Sequence, residues 1–115
     1  MINVVCQFFS CLSTQNKNID NLESLFKDDC LLLCSNQTLI GKVNVTKYFK
    51  EMVLRNRIEK VSLLNIIRCD KSTLLVNYSI IYADQPSPVY GAAIFKINKK
   101  KINYINYRHT HQLIN

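Results

Sequence analysis

The polar side chains best suited to do chemistry in this chain lie in its C-terminal half, on alternating runs typical of β-strands. Asn65, Asn77 and Ser79 interrupt otherwise apolar positions, and Asn106 and Arg108 share one face of the last run. A polar group that faces a cavity needs a partner or a ligand, since burying it unpaired costs about 1–3 kcal/mol. These residues could supply the few fixed hydrogen bonds of an apolar ligand site, or they could face outward and bond to one another.

Acidic side chains are scarce where a cavity would need them for general acid–base catalysis. No Asp or Glu occurs in 31–50 or 90–115. Four aspartates stand instead at predicted breaks and hairpin turns: Asp28, Asp29, Asp70 and Asp84. Such positions are typical of solvated turn or cap residues, so paired-carboxylate catalysis is poorly supported.

Two histidines near the C-terminus, His109 and His111, are spaced to lie on one face of a strand. The pair could bind a metal ion if a third ligand came from elsewhere in the fold. We expect surface histidines instead, with His109 alone able to reach a cavity mouth as a base. We therefore predict no metal site and no cofactor.

Five cysteines are present, an odd number without the spacing of a disulfide framework: Cys6, Cys11, Cys30, Cys34 and Cys69. The apolar N-terminal stretch has no basic region and no clear cleavage site, so we interpret it as a helix and not as a signal peptide. We expect reduced cysteines packed as small hydrophobic residues in a cytoplasmic protein without a membrane segment.

The length of 115 residues, with 48% hydrophobic and 20% charged residues, predicts a single globular domain, 1–115. The net charge is +7, and part of it is clustered around one predicted turn by Lys96, Lys99, Lys100 and Lys101. This cluster is typical of a solvated turn. Only its charge favours an anionic partner, and we do not expect nucleic acid binding.

Helical periodicity occurs three times in the first half of the chain. The first helix has its apolar face at Val4, Val5, Phe8, Phe9 and Leu12. Asn18 is the predicted N-cap of a second helix that buries Ile19, Leu22, Leu25 and Phe26 and ends at Asp28-Asp29. Short strands at 30–34 and 38–40 flank a turn at 36–37. Gly41 then leads into a third helix with the stripe Val45, Tyr48, Phe49, Met52 and Val53.

From residue 59 onward the hydrophobic period changes to two. Four strands are predicted, at 60–69, 73–83, 89–97 and 101–111. Their short connections favour an antiparallel meander, so the fold class is α+β, with helices on one face of a mainly antiparallel sheet. Both faces of that sheet are apolar in sequence, while three helices can cover only one. We therefore predict a homodimer through the outer sheet face.

The order and spacing of these pieces resemble the nuclear transport factor 2-like superfamily, especially its SnoaL-like and ketosteroid-isomerase-like branch. The matching segments are Asn18-Ile19-Asp20, Leu25-Phe26 with Asp28-Asp29, Leu39-Ile40-Gly41 with Tyr48-Phe49, and Ala93 to Ile97 followed by Lys101-Ile102. The resemblance implies a cone-shaped half-barrel with an apolar cavity between helices and sheet. Isomerases, cyclases, dehydratases, epoxide hydrolases and non-enzymatic modules share this shape, so the fold does not settle the function.

The catalytic groups of ketosteroid isomerases are absent from the matching positions. The carboxylate base falls on Cys34, the oxyanion-hole tyrosine on Phe8 and the protonated acid on Ala93. The residues expected around the cavity are Phe8, Leu12, Cys34, Tyr48, Asn65, Asn77, Ser79, Ala93, Phe95, Asn106, Arg108 and His109. We predict a cavity protein that binds a modest apolar molecule, with no identifiable reaction. The alternative is a non-catalytic homo-oligomerising or protein-interaction module.

Overall fold

The computed structural model describes residues 1–12, 17–35 and 37–109, and of Lys17, Asn18 and His109 it describes only the backbone. The chain forms helix α1 (Ile2–Ser10), a 3-10 helix (Lys17–Leu25), and strands β1 (Phe26–Cys34) and β2 (Gln37–Ile40). Helix α2 (Lys42–Asn56) follows. The last four strands are β3 (Ile58–Arg68), β4 (Thr73–Tyr82), β5 (Val89–Asn98) and β6 (Lys101–His109).

The six strands form one curved sheet, which does not close into a barrel, in the order β2-β1-β6-β5-β4-β3. Strands β3 to β6 pair as antiparallel neighbours, which confirms the predicted meander. Strand β1 lies between β2 and β6 and runs parallel to β6. The α+β class with a mainly antiparallel sheet is confirmed, and the parallel pair of β1 and β6 is a feature that the sequence did not indicate.

The helices cover one face of the sheet, which we call the inner face. Strand β5 shows the alternation most clearly, since Ala93 and Phe95 are buried on that face while Ile94 between them is exposed. Phe8 of α1 lies at the centre of the core, with its ring centroid 5.0 Å from that of Phe49 and 5.3 Å from that of Phe95. Aromatic rings thus fill the space between the helices and the sheet.

Gly41 makes the predicted tight entry into α2. Its φ of +95° is a conformation that favours glycine, and its N–H donates to the carbonyl oxygen of Cys30 at 2.8 Å. Its own carbonyl oxygen accepts the N–H of Val45 at 3.0 Å and so begins the helix. No helix of the described chain has the length and apolar character required to span a membrane.

Three local predictions between residues 17 and 37 are wrong. The second helical segment is a 3-10 helix that already begins at Lys17, so Asn18 is not its N-cap, and Phe26 is buried as the first residue of β1. Asp28 and Asp29 lie within β1, where the pairing with β6 shifts register between Phe26 and Leu31. The two aspartates were predicted to end a helix, but they lie at an irregularity within a strand. Gln37 belongs to β2 and not to the turn before it.

The outer face of the sheet carries a row of six directly paired residues, four of them aliphatic, which we call the apolar row. The row runs through Thr38, Leu33, Asn106, Ile94, Leu75 and Ile67. Ile94 is 37% exposed and Ile67 49% exposed, although both are large aliphatic residues. Exposed apolar side chains are therefore present on the outer face, among polar residues such as Asn77 and Asn106.

Candidate functional site

The apolar space between the helices and the inner face is small. Its cavity volume is about 20 Å³, roughly enough for one water molecule. Residues around it include Phe8, Leu12, Ala93 and Phe95, all of them predicted cavity residues. Their close packing follows from the ring cluster, which occupies the interior of the cone.

A larger pocket opens at one end of the sheet, and we call it the end pocket. Its cavity volume is about 390 Å³. Its lining residues are Ser35, Tyr48, Met52, Arg55, Asn56, Arg57, Tyr82, Asp84, Gln85, Tyr107 and Arg108. Met52 and Tyr107 also line the small apolar space, so these two side chains separate the end pocket from the core.

The topology of the sheet explains why these residues meet. Strands β1 and β6 are parallel, and β4 runs in the same direction because β5 lies antiparallel between β4 and β6. The C-terminal ends of all three strands therefore lie at the same end of the sheet, where Ser35, Tyr82 and Tyr107 line the end pocket. The C-terminal turn of α2 ends at the same place and adds Arg55 and Asn56.

A pair of tyrosines forms the base of the end pocket. The hydroxyl groups of Tyr48 and Tyr107 hydrogen-bond to each other, and the Tyr107 hydroxyl also donates to the Met52 sulfur at 3.7 Å. The thiol of Cys34 interacts with both hydroxyls. A thioether is a weak acceptor, so a ligand oxygen would be a better acceptor for a tyrosine hydrogen at this position.

Burial keeps the tyrosine pair protonated. It raises the pKa of Tyr48 to about 12, with a further contribution from the Cys34 thiol. Burial also raises the pKa of Tyr107, and the neighbouring Tyr48 raises it further. At neutral pH both hydroxyls are therefore uncharged hydrogen-bond donors, and neither is a phenolate base.

The charged residues around the end pocket are mainly positive. Arg55, Arg57 and Arg108 line it, while Asp84 is the single acidic residue among the described residues that do so. Arg55 lies 4.0 Å from Glu51 in a long, largely exposed ion pair, which contributes little to stability. The end pocket thus combines an aromatic base with a cationic rim.

Two residues that line the end pocket have a positive φ, a left-handed backbone conformation that is uncommon in residues other than glycine. Ser35 has a φ of 49° and Arg57 a φ of 55°. Arg57 follows α2 as its C-cap, a position where glycine is the usual residue because it has no Cβ to clash. Unusual backbone at a concave site is an observation that points toward function.

The structure divides the predicted site residues among several places. Phe8, Leu12, Ala93 and Phe95 line the small apolar space, Tyr48 and Arg108 line the end pocket, and Cys34 is buried beside its tyrosine pair.

The amide and hydroxyl residues of this set, Asn65, Asn77, Ser79 and Asn106, lie on the outer face, away from both spaces. Arg108 shares the strand parity of Asn106 but stands where β6 reaches the end pocket. Asn77 donates from Nδ2 to Oδ1 of Asn65 at 2.7 Å, and Asn106 donates from Nδ2 to the Tyr104 hydroxyl at 3.3 Å. Ser79 lies two residues after Asn77 in β4, so its side chain is on the same, outer face of the sheet. The sequence left two alternatives for these residues, and an outward orientation with hydrogen bonds on the outer face accounts for the asparagine side chains. The His109 side chain and the whole of His111 lie outside the described residues.

Sequence reasoning missed much of the end pocket. Met52 was predicted only as part of the apolar stripe of a helix, and Asp84 only as a solvated turn residue, while Arg57 and Tyr82 were not singled out as site residues. Tyr107 lies within the last predicted strand and was not singled out either. The signal that could have found them is positional. Arg57, Tyr82 and Asp84 stand at or just beyond the C-terminal end of an element, and Met52 and Tyr107 lie within the last few residues of theirs. Within the described part of the chain, no group of three or more His, Cys, Asp or Glu side chains is placed to hold a metal ion.

The fold is the nuclear transport factor 2-like fold, with a pocket at the strand ends. A candidate SnoaL-like polyketide cyclase from Jannaschia sp. CCS1 is similar, with a TM-score of 0.80 and 13% identity over 98% of this chain and 87% of that chain. An LEH-like epoxide hydrolase from M. tuberculosis gives a TM-score of 0.76 and 16% identity over 96% and 83%.

A nuclear transport factor 2-like protein of unknown function from Cytophaga hutchinsonii ATCC 33406 gives a TM-score of 0.74 and 12% identity over 98% and 92%. No family model matches the sequence, and no curated protein does so. At such low identities these structures show a shared fold and nothing about a shared activity.

Proposed function

We propose that the protein binds a small organic molecule in the end pocket. The observation that carries the proposal is the open volume of about 390 Å³ above the hydrogen-bonded pair of Tyr48 and Tyr107. Ligand pockets commonly have volumes of roughly 300–1,000 Å³ and few polar groups that fix orientation. The apolar body of the ligand would lie against Met52 and Tyr82, and the tyrosine hydroxyls would bind its polar end.

The small apolar space does not offer a comparable site. Its volume of about 20 Å³ is too small for an organic ligand unless the surrounding rings move. We therefore propose the end pocket, and not the small apolar space, as the site for the modest apolar molecule expected from the sequence. The similar candidate polyketide cyclase and epoxide hydrolase support a small-molecule role for this fold.

The test is an NMR titration of the protein with naphthol, naphthamide and naphthoate, each to millimolar concentration. These share an aromatic body that the end pocket can accommodate and differ only in their polar group. We expect amide shift changes for at least one of them at Ser35, Tyr107 and Arg108. The proposal would be contradicted if none of the three compounds caused shift changes at any lining residue.

A blocking variant with a matched control localises the binding. Asn56→Trp would place an indole in the end pocket from the last residue of α2 and should abolish the shift changes. Lys47→Trp adds the same ring at an exposed position of the same helix, outside the lining, and should leave them unchanged. Equal loss in both variants would indicate a general effect of the added ring.

The alternative function is homo-oligomerisation through the outer sheet face, favoured by the apolar row that includes Ile94 and Ile67. A second copy of the chain would cover these exposed side chains. Light scattering at micromolar concentration should give a dimer for the unmodified protein and a monomer for Ile94→Lys. Leu54→Lys, at a position 68% exposed on α2, is the control and should stay dimeric. A monomeric mass for the unmodified protein would exclude this function.

A further inference from the structure

We infer that the ligand of the end pocket is an organic carboxylate, an aromatic or apolar acid whose carboxylate group is held by arginines of the rim. This inference rests on the proposed function and names the class of ligand for the same site. Three observations support it independently of one another: the charge of the lining, the state of the tyrosine hydroxyls and the backbone conformation at Arg57.

The charge of the lining favours an anion. Arg55, Arg57 and Arg108 each carry a full positive charge, while Asp84 is the one carboxylate among the described lining residues. The partial negative charge at the C-terminus of α2 offsets only part of this excess. An arginine binds a carboxylate with two parallel N–H···O bonds, which a neutral ligand cannot reproduce to the same extent.

The base of the end pocket adds hydrogen-bond donors. Tyr48 and Tyr107 are protonated at neutral pH, and each hydroxyl has one hydrogen. One hydrogen is used between the two oxygens, and the other reaches the Met52 sulfur, which is a weak acceptor. A carboxylate oxygen near this position would replace sulfur with a much stronger acceptor.

The backbone at Arg57 favours glycine over arginine, so the arginine does not contribute to the stability of the turn through its backbone conformation. Arg57 is the C-cap of α2 in a left-handed conformation, with φ 55° and ψ 52°. Glycine adopts this conformation without strain, so an arginine here is unfavourable for the backbone. Arg57 is one of the residues that line the end pocket, and its guanidinium could hold an anion there.

The decisive comparison uses naphthoate against naphthamide, because the two differ in charge but scarcely in shape. We expect naphthoate to bind about tenfold more tightly, the ratio expected from one additional charge-assisted hydrogen bond. This advantage should decrease as salt rises, since added ions screen the exposed arginines. Equal affinities would overturn the carboxylate class while leaving the proposed function intact. If neither compound binds and naphthol does not bind either, the proposed function itself is removed.

Substitutions then show which residues cause naphthoate to bind more tightly than naphthamide. Arg57→Gln and Arg108→Gln should each reduce naphthoate affinity towards that of naphthamide and leave naphthamide binding unchanged. Asp84→Asn removes the negative charge of the lining and should strengthen naphthoate binding. Arg68→Gln is the control, because Arg68 ends β3 at the opposite end of the strand from the end pocket.

The outcome for Arg57 separates two roles. If Arg57 only stabilises the C-terminus of α2, then Arg57→Gln lowers the melting temperature and leaves naphthoate binding unchanged, which would overturn its assignment. Arg57→Gly provides the second variant, because glycine suits the left-handed conformation and keeps the chain folded. It should weaken naphthoate binding as much as Arg57→Gln does.

Discussion

The hydroxyl groups of Tyr48 on α2 and Tyr107 on β6 hydrogen-bond to each other at the base of the end pocket. This bond connects the longest helix to the central part of the sheet, across 59 positions of sequence. It therefore has two consequences. It positions two donors for a ligand, and it contributes to holding the helix on the sheet.

The first prediction concerns the stability contributed by this bond. Tyr48→Phe and Tyr107→Phe should each lower the free energy of unfolding by about 1 kcal/mol, because each leaves a half-buried hydroxyl without its partner. The double variant should cost less than the sum of the two single changes, since the residues are coupled. Urea denaturation of all four proteins measures this coupling. Strict additivity would show that the bond contributes nothing to stability.

The second prediction concerns alkaline pH. The folded-state pKa of Tyr48 is about 12, above its usual value of 10.0, and burial also raises the pKa of Tyr78 and Tyr107. A raised pKa means that the fold favours the protonated form. Its stabilising contribution is complete below pH 10 and is lost as the pH rises towards 12.

We therefore expect the free energy of unfolding to fall steadily above pH 10, and the tyrosinate absorbance to rise with unfolding. The double variant of Tyr48 and Tyr107 to Phe should show a weaker dependence. A pH-independent free energy of unfolding across this range would contradict the burial of the hydroxyl groups.

The third prediction concerns thiol reactivity. Cys6 and Cys69 are exposed, whereas Cys11, Cys30 and Cys34 are buried. Burial also raises the pKa of Cys30 to about 12, which removes the reactive thiolate at neutral pH. Dithiobis(nitrobenzoate) should modify two thiols rapidly in the folded protein and five after denaturation. Rapid modification of a third thiol would show that the core around α1 or β1 opens readily.

The fourth prediction concerns the contact between Gly91 and Tyr78 on the inner face. A Cβ at Gly91 would lie 2.6 Å from Cζ of the Tyr78 ring, much closer than carbon atoms approach. Gly91→Ala should therefore destabilise the protein by about 1–3 kcal/mol, measured by thermal or urea denaturation. In a Tyr78→Ala background, the same change should cost far less. An equal cost in both backgrounds would mean that the clash is not its cause.

Much of the fold could be predicted from the sequence because its determinants are local. The apolar faces of α1 and α2 repeat at helical spacing, Gly41 marks a backbone that few other residues adopt, and the strands of the meander alternate with period two. Errors occurred where a local signal had two meanings. Asp28-Asp29 is typical of a helix end, but it also fits an irregular, exposed part of a strand.

The end pocket was less predictable because its residues are distant in sequence. Arg57 and Tyr107 belong to elements that meet only through the order of the strands. Asn65 and Asn77, in contrast, have polar side chains that suited a cavity, but one unit of strand register places them on the outer face. Parity along a strand can be read from the sequence, whereas the face that each parity presents to the helices cannot.

The α+β class, the order of the elements and the absence of a carboxylate from the positions where ketosteroid isomerases carry theirs could all be predicted from the sequence. These follow from residue type and spacing along the chain. Two features are visible only in the folded chain: phenylalanine rings fill the interior, and an arginine-rimmed pocket opens at the strand ends. The physical reason is that packing density and the meeting of strand ends depend on how distant segments pair, which local preferences do not specify.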